Sequence, residues 1–114
     1  MTGSETPYYA CAAAVGREFE VAEELFEVAP WVWVARQIKP VRVGKSRKRE
    51  WTTRPMFPGY VFAQMDGQAF FEARTIKGLH KTKLQLHPTE ARALIRDANR
   101  IDDAYEAEKR RLER

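Results

Sequence analysis

The stretch RPMFPGYVFAQMD, residues 54–66, decides the fold of this chain. Its two prolines keep Met56 and Phe57 out of helical geometry, because proline fixes its own φ and restricts the residue before it. Gly59 then permits a backbone conformation that other residues adopt only with strain. Side chains alternate across a strand, so residues 60–65 place two aromatics on one face and small aliphatics on the other. The stretch therefore predicts a turn that leads into a strand.

The residues before this stretch predict a strand, a helix and a second strand. Residues 8–13 form an apolar run that is too short for a helix and predict a central strand. Residues 18–28 predict a helix with largely solvated glutamates, and Pro30 ends it. Residues 31–38 predict the second strand because they are rich in β-forming residues. The apolar side of the helix comprises Phe19, Ala22, Leu25 and Phe26.

Around and after the quoted stretch, the pattern predicts a hairpin, a short helix and a further strand. Pro40 is expected to interrupt the second strand, and residues 41–53 predict a β-hairpin with a long basic tip. Asp66 is the predicted N-cap of a short helix over residues 68–75. Residues 79–86 predict the fourth main strand.

The last helix is predicted over residues 89–111, with an apolar stripe that fades after Tyr105. The order strand, helix, strand, hairpin, strand, helix, strand, helix predicts an α+β fold, with helices packed on a mostly antiparallel four-stranded sheet. A length of 114 residues fits one domain, 1–114. Its ends are expected to be a flexible N-terminus at 1–7 and a charged helical tail at 106–114, which frays or projects into solvent.

Composition argues against several classes of protein. The single cysteine, Cys11, rules out an internal disulfide and a thiolate-rich metal site, favours a reducing cytoplasm, and is expected to be buried. No apolar run is long enough to span a membrane, and residues 1–6 lack a signal-peptide pattern. His80 and His87 have no companion ligands in the sequence, and no nucleophile motif or phosphate-binding glycine loop is present. The sequence predicts neither an enzyme, a cofactor nor a small-molecule substrate.

The positive charge of the chain is concentrated in one short region. The formal net charge is +4, yet residues 36–54 alone hold eight Lys or Arg and one acidic residue. Residues 1–35 hold six acidic residues and one basic residue. Basic side chains on a protruding tip can neutralise phosphates and release counterions, which favours contact with nucleic acid. The alternative is a solvated loop whose charges only keep the hairpin soluble. The candidate nucleic-acid contacts are Arg42, Lys45, Arg47, Lys48 and Arg49.

The quoted stretch resembles the hallmark of the N-terminal domain of the NusG transcription-factor family, a Pro-hydrophobe-Phe-Pro-Gly-Tyr-Val-hydrophobe run. Tyr8-Tyr9 resembles the start of the family's first strand, and Gly16 with the helix after it resembles the family's glycine and first helix. Residues 74–79 resemble the family's segment of Arg, a few residues and then Gly-Val. These matches keep the family's order and spacing, and the family's N-terminal domain has the arrangement of elements predicted above.

The resemblance implies a transcription elongation regulator that holds the clamp helices of the largest subunit of bacterial RNA polymerase in an apolar depression. It would act as a monomer on pausing or termination, or compete with NusG, with its hairpin toward upstream or non-template DNA. Aromatic side chains suit such a site, although aromatics in strands are also common core residues. The alternative is a free-standing nucleic-acid-binding module that acts through the hairpin. The candidate polymerase contacts are Tyr8, Phe57, Pro58, Tyr60, Phe62, Ile76, Leu79 and Ile95.

The sequence also departs from the pattern of the family in three places. Specialised members read a displaced DNA strand with polar residues after the first strand, whereas residues 12–15 here are Ala-Ala-Ala-Val and Arg17 is the nearest donor. The segment Phe70-Phe71-Glu72 lacks the Thr-rich pattern by which such members touch the opposite side of the polymerase cleft. The family normally adds a C-terminal KOW barrel, which recruits Rho or a ribosomal protein. That barrel is either naturally absent or was removed, and without it the chain would bind polymerase without those links.

Overall fold

A computed structural model describes residues 6–41 and 50–113 of the chain. The elements are β1 Tyr8–Ala13, α1 Glu18–Leu25, β2 Trp31–Trp33, β3 Arg36–Val41, β4 Glu50–Pro55, β5 Tyr60–Gln64, α2 Gly67–Glu72 with a 3₁₀ turn at Ala73–Thr75, β6 Leu79–Gln85 and α3 Pro88–Leu112. Four strands form one antiparallel sheet in the order β2-β5-β1-β6, and β3 and β4 form a separate two-stranded ribbon. The helices pack on the main sheet, so the predicted α+β fold with a mostly antiparallel four-stranded sheet is confirmed.

One face of the main sheet carries small aliphatic side chains and packs against α1 and α2. Cys11 from β1 and Val61 and Ala63 from β5 are fully buried there, together with Val21 and Leu25 from α1. These side chains are mostly short, so the helices can pack closely on the strands. This face therefore forms the main core, as the alternation in the quoted stretch predicted.

The opposite face of the sheet carries aromatic side chains and is partly covered by α3. Trp33 in β2 pairs with Phe62 in β5, and their ring centroids are 5.7 Å apart. Tyr60 and Leu84 lie on the same face but stay largely exposed. The helix thus covers the β2 side of this face and leaves part of it open. From α3, the side chains in this second cluster are Leu94, Ala98 and Ile101.

Side-chain caps define where the last two helices begin. Asp66 accepts a hydrogen bond of 2.7 Å from a backbone N–H in the first turn of α2, as predicted. His87 caps α3: its Nδ1 accepts from the Thr89 N–H at 3.2 Å, while its own N–H donates to the Glu90 carboxylate at 2.9 Å. The helix then runs to Leu112, so most of the charged tail is helical. No helix within the described ranges is long and apolar enough to cross a membrane.

The second predicted strand, residues 31–38, is divided between two sheets. The chain leaves the main sheet after Trp33 and enters the ribbon at Arg36. Pro40 lies inside β3, opposite Trp51, so the prediction that it interrupts the strand is wrong. Proline is tolerated there because a two-stranded ribbon leaves each strand with a free edge that needs no donor.

The first helix is shorter than predicted and buries a different set of side chains. It ends at Leu25 instead of Val28, and its buried face includes Glu18 and Val21. Phe26, predicted on the apolar side, is 60% exposed because it lies at the C-cap, after the last helical turn. The buried positions start one residue earlier than the predicted stripe, which brings a glutamate into the core.

Candidate functional site

The turn between β4 and β5 presents aromatic side chains to solvent. The Met56 N–H donates to the Ala35 carbonyl at 2.7 Å, and the Tyr60 N–H donates to the Phe57 carbonyl at 3.2 Å. Phe57 is 47% exposed and Tyr60 is 50% exposed, with the exposed Pro58 between them. Adjacent exposed rings of this kind make the turn a candidate contact surface.

A buried carboxylate holds this turn in place. Glu18 is only 2% exposed, and its two carboxylate oxygens accept hydrogen bonds of 2.8 Å from the N–H groups of Gly16 and Gly59. Gly59 has a φ of 86°, which strains any residue with a side chain, and its carbonyl accepts from the Ala13 N–H at 2.8 Å. Glu18 is also the first residue of α1, where the helix dipole favours a negative charge. The turn is thereby fixed to both α1 and β1.

The sequence interpretation missed this role of Glu18. It treated the acidic residues of the first helix as one solvated face, and Glu18 is the member that points inward. The available signal was its position two residues after Gly16, at the first turn of a helix. In such a position a carboxylate can accept backbone N–H groups that have no partner in the helix.

Phe62 and Tyr8 lie on the same sheet face as Tyr60 but are more buried. The Tyr8 ring meets Trp31 edge-on with centroids 5.4 Å apart, and Phe62 packs on Trp33 under α3. These two predicted polymerase contacts therefore lie beside Tyr60 on the same face and are partly covered, whereas the exposed aromatic surface is carried by the turn.

Ile76 and Leu79 are separated from this surface by the sheet itself. Leu79 pairs with Ala13, and both Ile76 and Leu79 pack into the core beneath α1 and α2. This corrects the expectation that they share one depression with Tyr60. Ile95, the last candidate contact, lies half-buried on α3.

A shallow trough follows β1 on the face that carries Tyr60. Its floor is formed by Ala10 and Ala12, which lie opposite Phe62 and Tyr60 of β5. On the other side Ala10 lies opposite Leu84 of β6, which is 66% exposed. Because alanine side chains are short and their neighbours on this face are large, β1 is recessed between the aromatic side chains of β5 and Leu84 of β6. Both alanines keep partial exposure, so the trough is open to solvent.

The exposed side chain of Val15 adds to this surface beside the turn. Val15 lies next to Gly59: a Cβ atom built on Gly59 would be 3.6 Å from the Val15 Cγ2. We refer to Val15, Phe57, Pro58 and Tyr60 together as the turn patch. The sequence interpretation named three of these four and omitted Val15, which it treated as part of a turn.

The predicted nucleic-acid contacts Arg42, Lys45, Arg47, Lys48 and Arg49 lie outside the described residues. The base of their hairpin is described, and it is anchored to α3. The Thr53 and Tyr105 hydroxyls share a hydrogen bond of 2.5 Å, and Tyr105 is buried. The Arg36 guanidinium lies 4.2 Å from the centre of the Tyr105 ring, where the cation is attracted by the ring electrons.

The core of the described residues contains a cysteine and the glutamate at the start of α1. Burial raises the pKa of the Cys11 thiol to about 11, with a smaller opposing effect from Lys83. Within residues 6–41 and 50–113, no three His, Cys, Asp or Glu side chains come close enough to hold a metal ion. His87 serves as the helix cap described above.

A comparison with models of known protein families shows which family this chain matches. A family model described as "Transcription termination factor nusG" matches residues 6–100, which include the trough, the turn patch and the first half of α3. The comparison with curated proteins found no match. Members of the matching family are transcription factors that interact with RNA polymerase. The chain therefore belongs to the NusG family of transcription termination and elongation factors.

Proposed function

We propose that this protein binds the clamp helices of RNA polymerase in the trough and the turn patch, and thereby modulates elongation. The observation that carries the proposal is the open, apolar trough along β1, with exposed aromatic rings at one end. A surface of this kind is costly to leave in water and suits a partner that covers it.

The dimensions of the trough suit the apolar side chains along one face of a helix. Its walls belong to β5 and β6, which lie on either side of β1. Neighbouring strands are about 4.8 Å apart, so the backbones of β5 and β6 are roughly 10 Å apart and their side chains leave a narrower space. A helix with its side chains is about 10–12 Å across, so it would lie above the trough and insert the side chains of one face. Helix-in-groove recognition places the apolar stripe of the helix on such a floor, and large aromatic side chains that become fully buried in the contact contribute most of the affinity.

The hairpin would extend the contact toward nucleic acid. Five basic residues within positions 42–49 favour phosphate, and upstream or non-template DNA is the proposed partner. The contacts of Tyr105 with Thr53 and Arg36 support this idea, because they fix the base of the hairpin relative to the sheet. A free-standing nucleic-acid-binding module remains the alternative function, and the same concentration of basic residues favours it.

In this proposal the effect on transcription follows from occupancy. A chain held on the clamp changes pausing or termination, and it excludes any other NusG protein from the same helices. The binding step is tested with purified bacterial RNA polymerase, without nucleic acid, using the wild type and the Phe57→Ala and Tyr60→Ala variants. Both residues are exposed, so the variants should fold as the wild type does. Each should weaken binding by about thirtyfold, as loss of a dominant interface residue does.

The matched control is Phe26→Ala, which removes a similarly exposed ring from the C-cap of α1, away from the trough. It should bind polymerase as the wild type does. Folded wild-type protein that fails to bind polymerase would contradict the proposal and favour the nucleic-acid alternative. Equal losses in Phe57→Ala and Phe26→Ala would show that the contact is not specific to the turn patch.

A further inference from the structure

A second apolar cleft lies at the outer edge of β2, outside the trough. It has a volume of about 330 Å³ and is bounded by Phe19 and Phe26 of α1 on one side. Val32 and Val34 form its floor, and Asp102 of α3 closes the opposite side. We call this the edge cleft. The proposed polymerase-binding function does not use it.

The edge cleft is open and apolar at its mouth. β2 is the outermost strand of the main sheet, and within the described residues no strand pairs with its outer edge. Phe26 is largely exposed there, and Phe19 is only partly covered. An exposed ring beside an unpaired edge strand is unfavourable in isolation and suits a bound chain.

The rim of the edge cleft is acidic although the whole chain is basic. Glu23 from α1 and Asp102 from α3 both line it. Arg36, the basic residue in the lining, lies 3.6 Å from both Asp102 and Glu106, so these three groups together leave one negative charge. Along α1 the other exposed acidic residues are Glu20, Glu24 and Glu27.

Of those acidic side chains, Glu20 pairs with Arg17 at 3.0 Å. Within the described part of the chain, Glu23, Glu24 and Glu27 have no basic group within 4.0 Å. This side of the molecule therefore carries surplus negative charge, which attracts cations and repels phosphates. A nucleic acid is thus the wrong kind of occupant for the edge cleft.

We propose that the edge cleft binds a basic amphipathic segment of another protein. An apolar side chain of that segment would insert between Phe19 and Phe26, and its Lys or Arg residues would face Glu23. The apolar floor provides affinity, and the acidic rim selects the sign of charge and raises the rate of association. The proposal follows from the cleft and its charges alone, so it does not depend on polymerase binding.

The test measures binding of a labelled synthetic peptide of leucine and lysine in helical spacing, by fluorescence anisotropy. A peptide with glutamate in place of each lysine is the matched control. The wild-type protein should bind the lysine peptide and not the glutamate peptide. Phe26→Ala and Glu23→Lys should each weaken binding by about tenfold or more, equivalent to loss of one good contact.

Two controls keep the outcome specific to the edge cleft. Phe71→Ala removes a similarly exposed ring from α2, and Phe57→Ala removes one from the turn patch; both should bind the peptide as the wild type does. Equal binding of the two peptides, or wild-type affinity in Phe26→Ala, would overturn the proposal. Self-association that Phe26→Ala abolishes would overturn it as well, because the occupant would then be a second copy of this chain.

Discussion

At the residue scale, Glu18 shows how a polar group stabilises a surface that it does not touch. Glutamate is rarely buried without partners, since removing its charge from water is costly. Here both oxygens accept backbone N–H groups, one of them from the turn that carries Phe57. The position of the turn patch thus depends on a carboxylate in the core.

Glu18→Gln should lower the free energy of unfolding by about 1–3 kcal/mol. The amide keeps one accepting oxygen but turns its NH₂ group toward the other backbone N–H, which is left buried without an acceptor. Urea unfolding followed by circular dichroism measures the change. Glu24→Gln, on the exposed side of the same helix, is the control and should unfold as the wild type does. Equal stability of the two variants would contradict the role assigned to Glu18.

Cys11 should make the protein less stable at high pH. Its pKa is about 11 in the fold and 9.0 in the unfolded chain. Stabilisation by the neutral thiol is therefore fully present below pH 9.0, and it declines between pH 9.0 and about 11. Two pKa units correspond to about 2–3 kcal/mol. The measurement is unfolding free energy against pH for the wild type and Cys11→Ala. Parallel curves for the two proteins would show that the thiol does not contribute.

At the scale of elements, α3 joins the sheet to the hairpin. Its first half covers Trp33 and Phe62, while Asp102 accepts a hydrogen bond of 3.0 Å from the Trp33 indole N–H. Its second half carries Tyr105, which contacts both strands of the ribbon through Arg36 and Thr53. A single helix therefore sets the orientation of the ribbon.

The contact between α3 and the hairpin should be measurable as a coupling energy. Thr53→Val and Tyr105→Phe each remove one hydroxyl of the shared hydrogen bond, and neither changes the apolar packing much. The double variant should be less destabilised than the sum of the single variants, by about 1 kcal/mol. Chemical denaturation of the wild type, the two single variants and the double variant gives the four free energies of unfolding that this double-mutant cycle needs. Strict additivity would mean that the two hydroxyls do not interact in solution.

Sequence patterns predicted which helices and strands form better than they predicted which side chains each of them buries. The strands β1, β5 and β6 and the helix α3 follow from alternation, capping residues and apolar spacing, which are local properties. The division of residues 31–38 between two sheets depends on how the ribbon packs against α3, which no local pattern encodes. Leu79 and Tyr60 lie on opposite faces of the sheet because of the register in which β6 pairs with β1, which local patterns do not encode either.

For the candidate site, sequence predicted the exposed turn and missed its surroundings. Phe57 and Tyr60 were identified through the family resemblance, whereas spacing alone left core and surface open as alternatives. The trough could not be foreseen, because it exists only where Ala10 and Ala12 of β1 lie between larger residues of two distant strands. Glu18 was missed for the same reason, since its partner Gly59 is far away in the chain.

At the scale of the whole molecule, charge and apolar surface occupy different regions. The turn patch is apolar, the rim of the edge cleft is acidic, and the basic surplus lies in residues 36–54. Contacts made by these regions should therefore respond differently to salt. Apolar contacts change little with ionic strength. Phosphate contacts release bound counterions, and added salt opposes that release, so these contacts weaken steeply as the salt concentration rises.

Replacing Lys45, Arg47, Lys48 and Arg49 with glutamate should abolish binding to single-stranded DNA. In the wild type, the logarithm of the binding constant should fall linearly with the logarithm of salt, and each lost phosphate contact should reduce that slope by about one. Polymerase binding without nucleic acid should persist in the same variant. Loss of polymerase binding with intact DNA binding would contradict the separation of the two surfaces.

The order of strands in the main sheet also bears on how the chain folds during synthesis. β1 is made first, yet its two neighbours, β5 and β6, are the last strands to leave the ribosome. Until then its apolar run has no partner, and such pairing between distant segments is slow. A nascent chain that stops before residue 79 contains β5 but not β6, so one edge of the central strand would stay unpaired and open to aggregation. The complete sheet of this chain can therefore form only when the strand at residues 79–85 has been translated.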